Sequence, residues 1–148
     1  MTTTARIPVP TAGPALPGGL LADSAPWTAK AGGYVRWFLR GDALATLIAG
    51  VVGYGYLGAP WLAFVPLLLV PDASMIGYLR NARLGSLTYN IGHNLGTAGL
   101  AVGFGLWLGV GWLAVAGSVL VAHIGMDRLL GYGLKYPTTF KDTHLQHV

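Results

Sequence analysis

The sequence has no cysteine and no glutamate, and it is poor in charge of either sign: nine Lys and Arg and five acids, all Asp, in 148 residues. Without cysteine there are no disulfides, no thiolate metal ligands and no cysteine nucleophile. Charged residues make up 9% of the chain, against about 25% in an ordinary soluble domain. That leaves too little polar surface for a soluble monomer. No Walker pattern is present, and the glycine-rich runs lie inside apolar segments without the strand–loop–helix context a phosphate loop needs. The formal charge of +4 does not indicate nucleic acid, because the basic residues are spread over segment ends. No nucleic-acid partner is expected.

What is abundant is apolar: 53% hydrophobic residues, 23 glycines and a mean hydropathy of +0.57. Glycine is frequent in membrane helices, where it allows close approach. Residues 1–26 are rich in Thr, Pro, Ala and Gly. They lack the apolar core of a cleavable signal and are expected to form a flexible tail before a membrane domain over 27–148. Within 27–40, Tyr34, Trp37 and Phe38 follow helical spacing beside Arg36 and Arg40. This is either a short interfacial helix or the start of the first span. Four spans are predicted, at about 42–58, 61–79, 87–108 and 112–130, each able to cross a hydrocarbon layer of ~30 Å. The fold class is therefore all-α, a polytopic four-transmembrane-helix antiparallel bundle with a short N-terminal interfacial helix.

Charge sets the topology. Every Lys and Arg precedes span one, lies between spans two and three (Arg80, Arg83), or sits at or beyond the end of span four (Arg128, Lys135, Lys141). The other two connections carry none. The positive-inside rule then places both termini and the Arg80/Arg83 loop in the cytoplasm, and the chain is expected in the cytoplasmic membrane. Trp61, Trp107 and Trp112 fall at the opposite interface, as an aromatic belt does. The small-residue pairs Gly92/Gly96 and Gly99/Gly103 on span three offer close-packing faces, within the bundle or toward a second copy. The expected partners are the lipid bilayer and a homo-oligomer through these faces.

Four ionisable residues interrupt this apolar background: Asp72, His93, His123 and Asp127. Charge in hydrocarbon is costly and usually marks a site facing the bundle interior. Counted from the centre of each span, all four fall within ~9 Å of it on the cytoplasmic side. His123 and Asp127, at i and i+4, share a helix face. Tyr89, His93 and Thr97 share another, with Asn90 and Asn94 adjoining. Pro71, directly before Asp72, removes a helix hydrogen bond and suggests a small wet cavity that Ser74 lines. Imidazole and carboxylate are ligands for Zn, Mn, Fe or Mg, so a divalent metal is the expected cofactor. Its candidate ligands are Asp72, His93, His123 and Asp127, with His144 folding back as a fifth or as an outer partner. Asp72, Asp127 and Arg128 are the candidate catalytic residues. A polar network that only fixes helix register satisfies the same pattern.

The runs VPDASMIGYL (70–79), YNIGH (89–93) and AHIGMDRLLGYGLKYPTTFKDTHL (122–145) resemble the small bacterial four-helix membrane proteins of the domain-of-unknown-function family 4260, over roughly 36–146. The family has no settled activity. Its motif positions fall here on Asp72, Ser74, Gly77, Tyr78, Tyr89, Asn90, His93, His123, Asp127, Arg128, Lys135, Thr143 and His144. Asp42 stands where a Glu is expected. A second similarity, of residue types only, is to membrane-bound metal-dependent hydrolases.

The expected function is an intramembrane Asp/His site near the cytoplasmic face. It binds a divalent metal and hydrolyses a lipid-soluble ester or phosphoester. In that reading Arg128 or Lys135 holds an anionic group. A proton- or ion-linked carrier, a non-catalytic membrane subunit and a haem between the two histidines are the alternatives.

Overall fold

The fold is that of a computed structural model, which describes residues 26–138 and 140–147; the predicted tail, apart from Pro26, lies outside them. The described residues form five α-helices: α1 (Pro26–Tyr56), α2 (Trp61–Leu68), α3 (Ala82–Gly92), α4 (Leu95–Trp107) and α5 (Gly111–Leu130). A 3₁₀ helix (Val70–Leu79) lies between α2 and α3, and a short one (His144–His147) ends the chain. The only β-type pairing among the described residues is an isolated Lys135–Thr143 bridge.

The all-helical expectation agrees with the structure, but three segments differ from it. The separate interfacial helix is absent: α1 runs unbroken through Arg40 and Gly41. Its 31 residues measure roughly 46 Å, longer than a bilayer core of ~30 Å. The segment with Arg36, Arg40 and the exposed Tyr34, Trp37 and Phe38 is the N-terminal part of one long helix. The second predicted span is two helices in series. Pro66 sits inside α2 and Pro71 opens the 3₁₀ segment, and a proline cannot donate the bond that would continue the α pattern. The third predicted span is also divided. α3 ends at Gly92 with His93 as its C-cap, and α4 restarts after Asn94, whose side chain accepts from the Thr97 amide at 3.1 Å. The fourth matches the prediction within a residue.

α5 is the central element. It packs antiparallel against α1 on one side and α4 on another, while α3 packs against the 3₁₀ segment. These approaches use glycine. A methyl group on Gly125 would overlap the Leu47 amide of α1, and one on Gly105 would overlap the Ala114 amide of α5. The two pairs expected from sequence are not used this way. The break at His93–Asn94 puts Gly92 and Gly96 on different helices, and Gly99 and Gly103 have nothing within 4 Å of the Cβ position. Gly131, at φ 89°, ends α5 in the left-handed region that favours glycine. The Tyr132 amide donates to the Asp127 carbonyl at 2.8 Å and the Gly131 amide to that of Arg128 at 3.1 Å, a Schellman cap.

Two segments, Trp61–Leu79 and Gly111–Leu130, are long and apolar enough to cross a membrane. Gly125→Leu is expected to separate α1 from α5 and to cost about 1–3 kcal/mol, while Gly99→Ala leaves stability within about 0.5 kcal/mol. Unfolding in mixed detergent, followed by tryptophan emission, measures both.

Candidate metal centre

The polar site is built at the two helix breaks. Where α2 gives way to the 3₁₀ helix, the 3₁₀ pattern would pair the Leu68 carbonyl with the N–H of residue 71. Residue 71 is proline and has none. The Leu68 oxygen instead faces His123 Nδ1 at 2.6 Å. At the other break, the Tyr89 carbonyl faces His93 Nδ1 at 3.0 Å, and Ser74 Oγ lies 3.4 Å from the same nitrogen. A carbonyl oxygen only accepts, so each Nδ1 carries the hydrogen. In the neutral ring that leaves the Nε2 lone pair free and fixes its direction.

Both lone pairs point to one place. His93 Nε2 and His123 Nε2 are 3.0 Å apart. Asp72 Oδ1 lies 3.6 Å from His93 Nε2 and 3.5 Å from His123 Nε2. Asp127 Oδ2 lies 3.8 Å and 3.6 Å from the same two nitrogens. One ligand atom from each of the four residues falls within 4.8 Å of all the others, so the group could hold a metal ion. For a tetrahedral ion with bonds of ~2.0–2.1 Å, ligand atoms stand roughly 3.3 Å apart. The His–His edge and the four His–Asp edges, 3.0–3.8 Å, lie around that value. The two histidines are 3% and 0% exposed at the side chain, Asp127 14% and Asp72 39%, so the cluster opens on the Asp72 side.

Outer contacts hold the ligands. The Tyr89 hydroxyl donates to Asp127 Oδ2 at 2.8 Å, and its ring stacks on His93 with centroids 3.7 Å apart. The segment after α5 is fastened to the same helix. Asn90 donates to the Lys135 carbonyl at 2.9 Å and accepts from its amide at 2.7 Å. Lys135 is 5% exposed, and its Nζ lies 3.5, 4.4 and 5.4 Å from the ring centres of Phe140, Tyr89 and Tyr78. Burial in this aromatic box holds the ammonium below the usual lysine range, against the pull of Asp127 and Asp72.

The four residues singled out by intramembrane charge are thus brought together. His144 is not in the group: its Nδ1 faces the Leu134 carbonyl at 3.4 Å, and its ring lies against Gly133. It follows the Lys135–Thr143 bridge, and its amide bonds to Leu134, so the turn that returns the tail also directs His144 to that segment. Arg128 lies in the last turn of α5, where a cation suits the helix dipole, and is outside the group of four. The side chains of Asn90 and Asn94, expected on a strip adjoining His93, bond to backbone, that of Lys135 and of Thr97, and the break separates Thr97 from the face it was expected to share with His93. The Leu68 carbonyl had no motif to announce it, the missing N–H of Pro71 being the available signal; Lys135, expected to hold an anionic group, instead lies over the rings of Tyr78, Tyr89 and Phe140.

The family model described as "Domain of unknown function (DUF4260)" matches residues 36–148. The chain belongs to this family. No curated protein and no solved structure matches it.

Lys135→Met removes the cation from the box while keeping most of its bulk. It is expected to cost about 1–2 kcal/mol of cation–π and packing energy. Limited proteolysis should then cut within 132–145 faster than in the parent protein, with α5 intact.

Proposed function

We propose that the chain is a membrane-embedded metalloprotein holding one divalent ion between His93, His123, Asp127 and Asp72. The observation that carries the reading is the convergence of two imidazole Nε2 atoms and two carboxylate oxygens within 4.8 Å. Their Nδ1 atoms face the Leu68 and Tyr89 carbonyls. Four lone-pair donors at this spacing repel one another unless a proton or a metal cation lies between them, and a divalent ion satisfies all four at once.

The membrane part of the proposal rests on surface. Trp61–Leu79 is apolar, yet only 6% of its most apolar stretch is buried. A core helix of a soluble protein is mostly covered. Leu62, Leu79, Leu100 and Leu106 are among the many large apolar side chains facing outward, and an apolar surface of this extent marks contact with lipid. Antiparallel packing puts exposed Tyr56, Trp61, Trp107 and Trp112 at one end and Arg36, Arg40, Arg80, Arg83 and Arg128 toward the other. The crossings are α1, α2 with the 3₁₀ helix, α3 with α4, and α5, in the bacterial cytoplasmic membrane with both termini inside.

The chemistry we assign is hydrolysis of a lipid-soluble ester or phosphoester. Exposure divides the roles. His93, His123 and Asp127 are the buried ligands, Asp127 being held by Tyr89. Asp72, the most exposed of the four, borders the accessible side and takes the proton from the attacking water. It returns that proton to the leaving oxygen as the bond breaks, giving an acid and an alcohol. When bound, the ion supplies Lewis acidity to the substrate oxygen and lowers the pKa of water.

Purified protein should carry about one divalent ion per chain by mass spectrometry, and His93→Ala, His123→Ala and Asp127→Ala should each lose it. Asp72→Asn should keep the ion and lower ester hydrolysis by about 10²–10⁴. Tyr89→Phe should weaken metal binding by about 10–100-fold. Metal content that is unchanged by the two histidine substitutions, or negligible throughout, rejects the proposal.

A further inference from the structure

A second feature ends at the same site. Between α2 and α5 runs an open groove of about 480 Å³, lined by residues that include Leu67, Val70, Pro71, Trp112, Ala116 and Val119. No polar or charged side chain is among its lining residues, which begin at Ala59 and Pro60 near the tryptophan-bearing end. The groove lies at the break: Pro66 is inside α2, Pro71 opens the 3₁₀ helix, and Pro71 is one of the lining residues.

Its position relative to the Asp/His cluster follows from helix geometry. Along α5, Trp112, Ala116, Val119, His123 and Asp127 are spaced by 4, 3, 4 and 4 residues, so they form one stripe. The first three line the groove, and the last two belong to the cluster. The rise from Val119 to His123 is about 6 Å. On the opposite wall Pro71 lines the groove and Asp72, the next residue, joins the cluster. Both walls therefore change from apolar to ionisable at the same level. The apolar part extends toward the tryptophan end and the ionisable part toward the arginine end.

We propose that this groove binds the single hydrocarbon chain of a lipid and seats its polar end at Asp72, the exposed member of the cluster. The inference deepens the hydrolase reading and rests on it for the meaning of the polar end; binding of the chain itself does not require the metal. Shape favours this occupant over bulk lipid. The volume lies in the range of small-molecule sites, and the groove stops at the one place in the apolar region where a headgroup finds partners. A chain entering from the arginine side would lie along the groove with its tail toward Trp112, as it would lie in the inner leaflet.

The test uses the full-length protein in detergent, as purified and after treatment with EDTA. The probe is a glycerol ester of palmitic acid carrying a mid-chain diazirine. Photolysis should label the peptides containing Leu67–Pro71 and Trp112–Val119, saturably, in both preparations. An unlabelled palmitoyl ester should compete and a butyryl ester should not. Ala116→Trp places an indole in the groove from an exposed position and should lower labelling at least about tenfold, the effect of losing about two buried methylenes. Leu67→Trp, from the other wall, should do the same, so the result does not depend on one variant folding. Label spread evenly over outward positions such as Leu100 and Leu106, or unchanged in both variants, overturns the proposal. So does a groove protected by a second copy of the chain, seen as a dimer that Ala116→Trp dissociates. Metal is measured in the same samples. One ion per chain with no groove labelling rejects the groove and leaves the metal site standing; labelling without metal does the reverse.

Discussion

Two main-chain carbonyls, those of Leu68 and Tyr89, govern this structure. Each sits at a helix break and is met by an imidazole Nδ1. The Leu68 carbonyl has lost its 3₁₀ partner at Pro71, and an unmet carbonyl in an apolar surrounding is costly; the Tyr89 carbonyl also accepts the His93 amide at 2.8 Å, so there the imidazole is a second partner. Their consequence is directional. With each Nδ1 hydrogen committed to the backbone, both Nε2 atoms turn to the same point, where Asp72 and Asp127 supply oxygens. The break at Leu68 thus calls for His123, and the two carbonyls together set how both histidines face. Irregular backbone at membrane depth is tolerated where it lines such a site.

The rest of the architecture holds those breaks in register. Glycine at Gly125 and Gly105 lets α1 and α4 close on α5, which fixes the height of His123 and Asp127. Tyr89 connects the two halves of the cluster by stacking on His93 and donating to Asp127. Asn90, one residue on, fastens the segment carrying Lys135, whose ammonium in turn lies over the Tyr89 ring. The tail therefore braces the site from outside without contributing a ligand. The apolar groove, farther along the same α5 stripe, gives the cluster a neighbour of opposite character, and the change from one to the other occurs within about a turn of helix.

The cluster was legible in the sequence because charge inside an apolar run is rare and its depth can be counted. Asp72, His93, His123 and Asp127 were located by that rule, and α5 was bounded closely because no proline interrupts it. The breaks were harder to read. Pro66 and Pro71 signal a disturbance, but a 3₁₀ helix of 10 residues is uncommon and no local pattern announces it. The division at His93–Asn94 has no proline at all. It depends on an Asn side chain capping the next helix, a role that polar Asn in an apolar segment only hints at. The same break explains why the glycines expected to pack, Gly92 and Gly96, do not share a face. His144 and Lys135 depend on how the tail returns, which is set by tertiary contacts with Asn90 and the aromatic rings.

X-ray absorption at the metal edge of zinc-loaded protein tests the central claim most directly, because it reads ligand type and distance together. The expected result is a shell of nitrogen and oxygen at about 2.0–2.1 Å with the multiple-scattering signature of two imidazoles, reduced to one in His93→Ala or His123→Ala. A shell without imidazole scattering, or a spectrum the same in the parent and both variants, would contradict it.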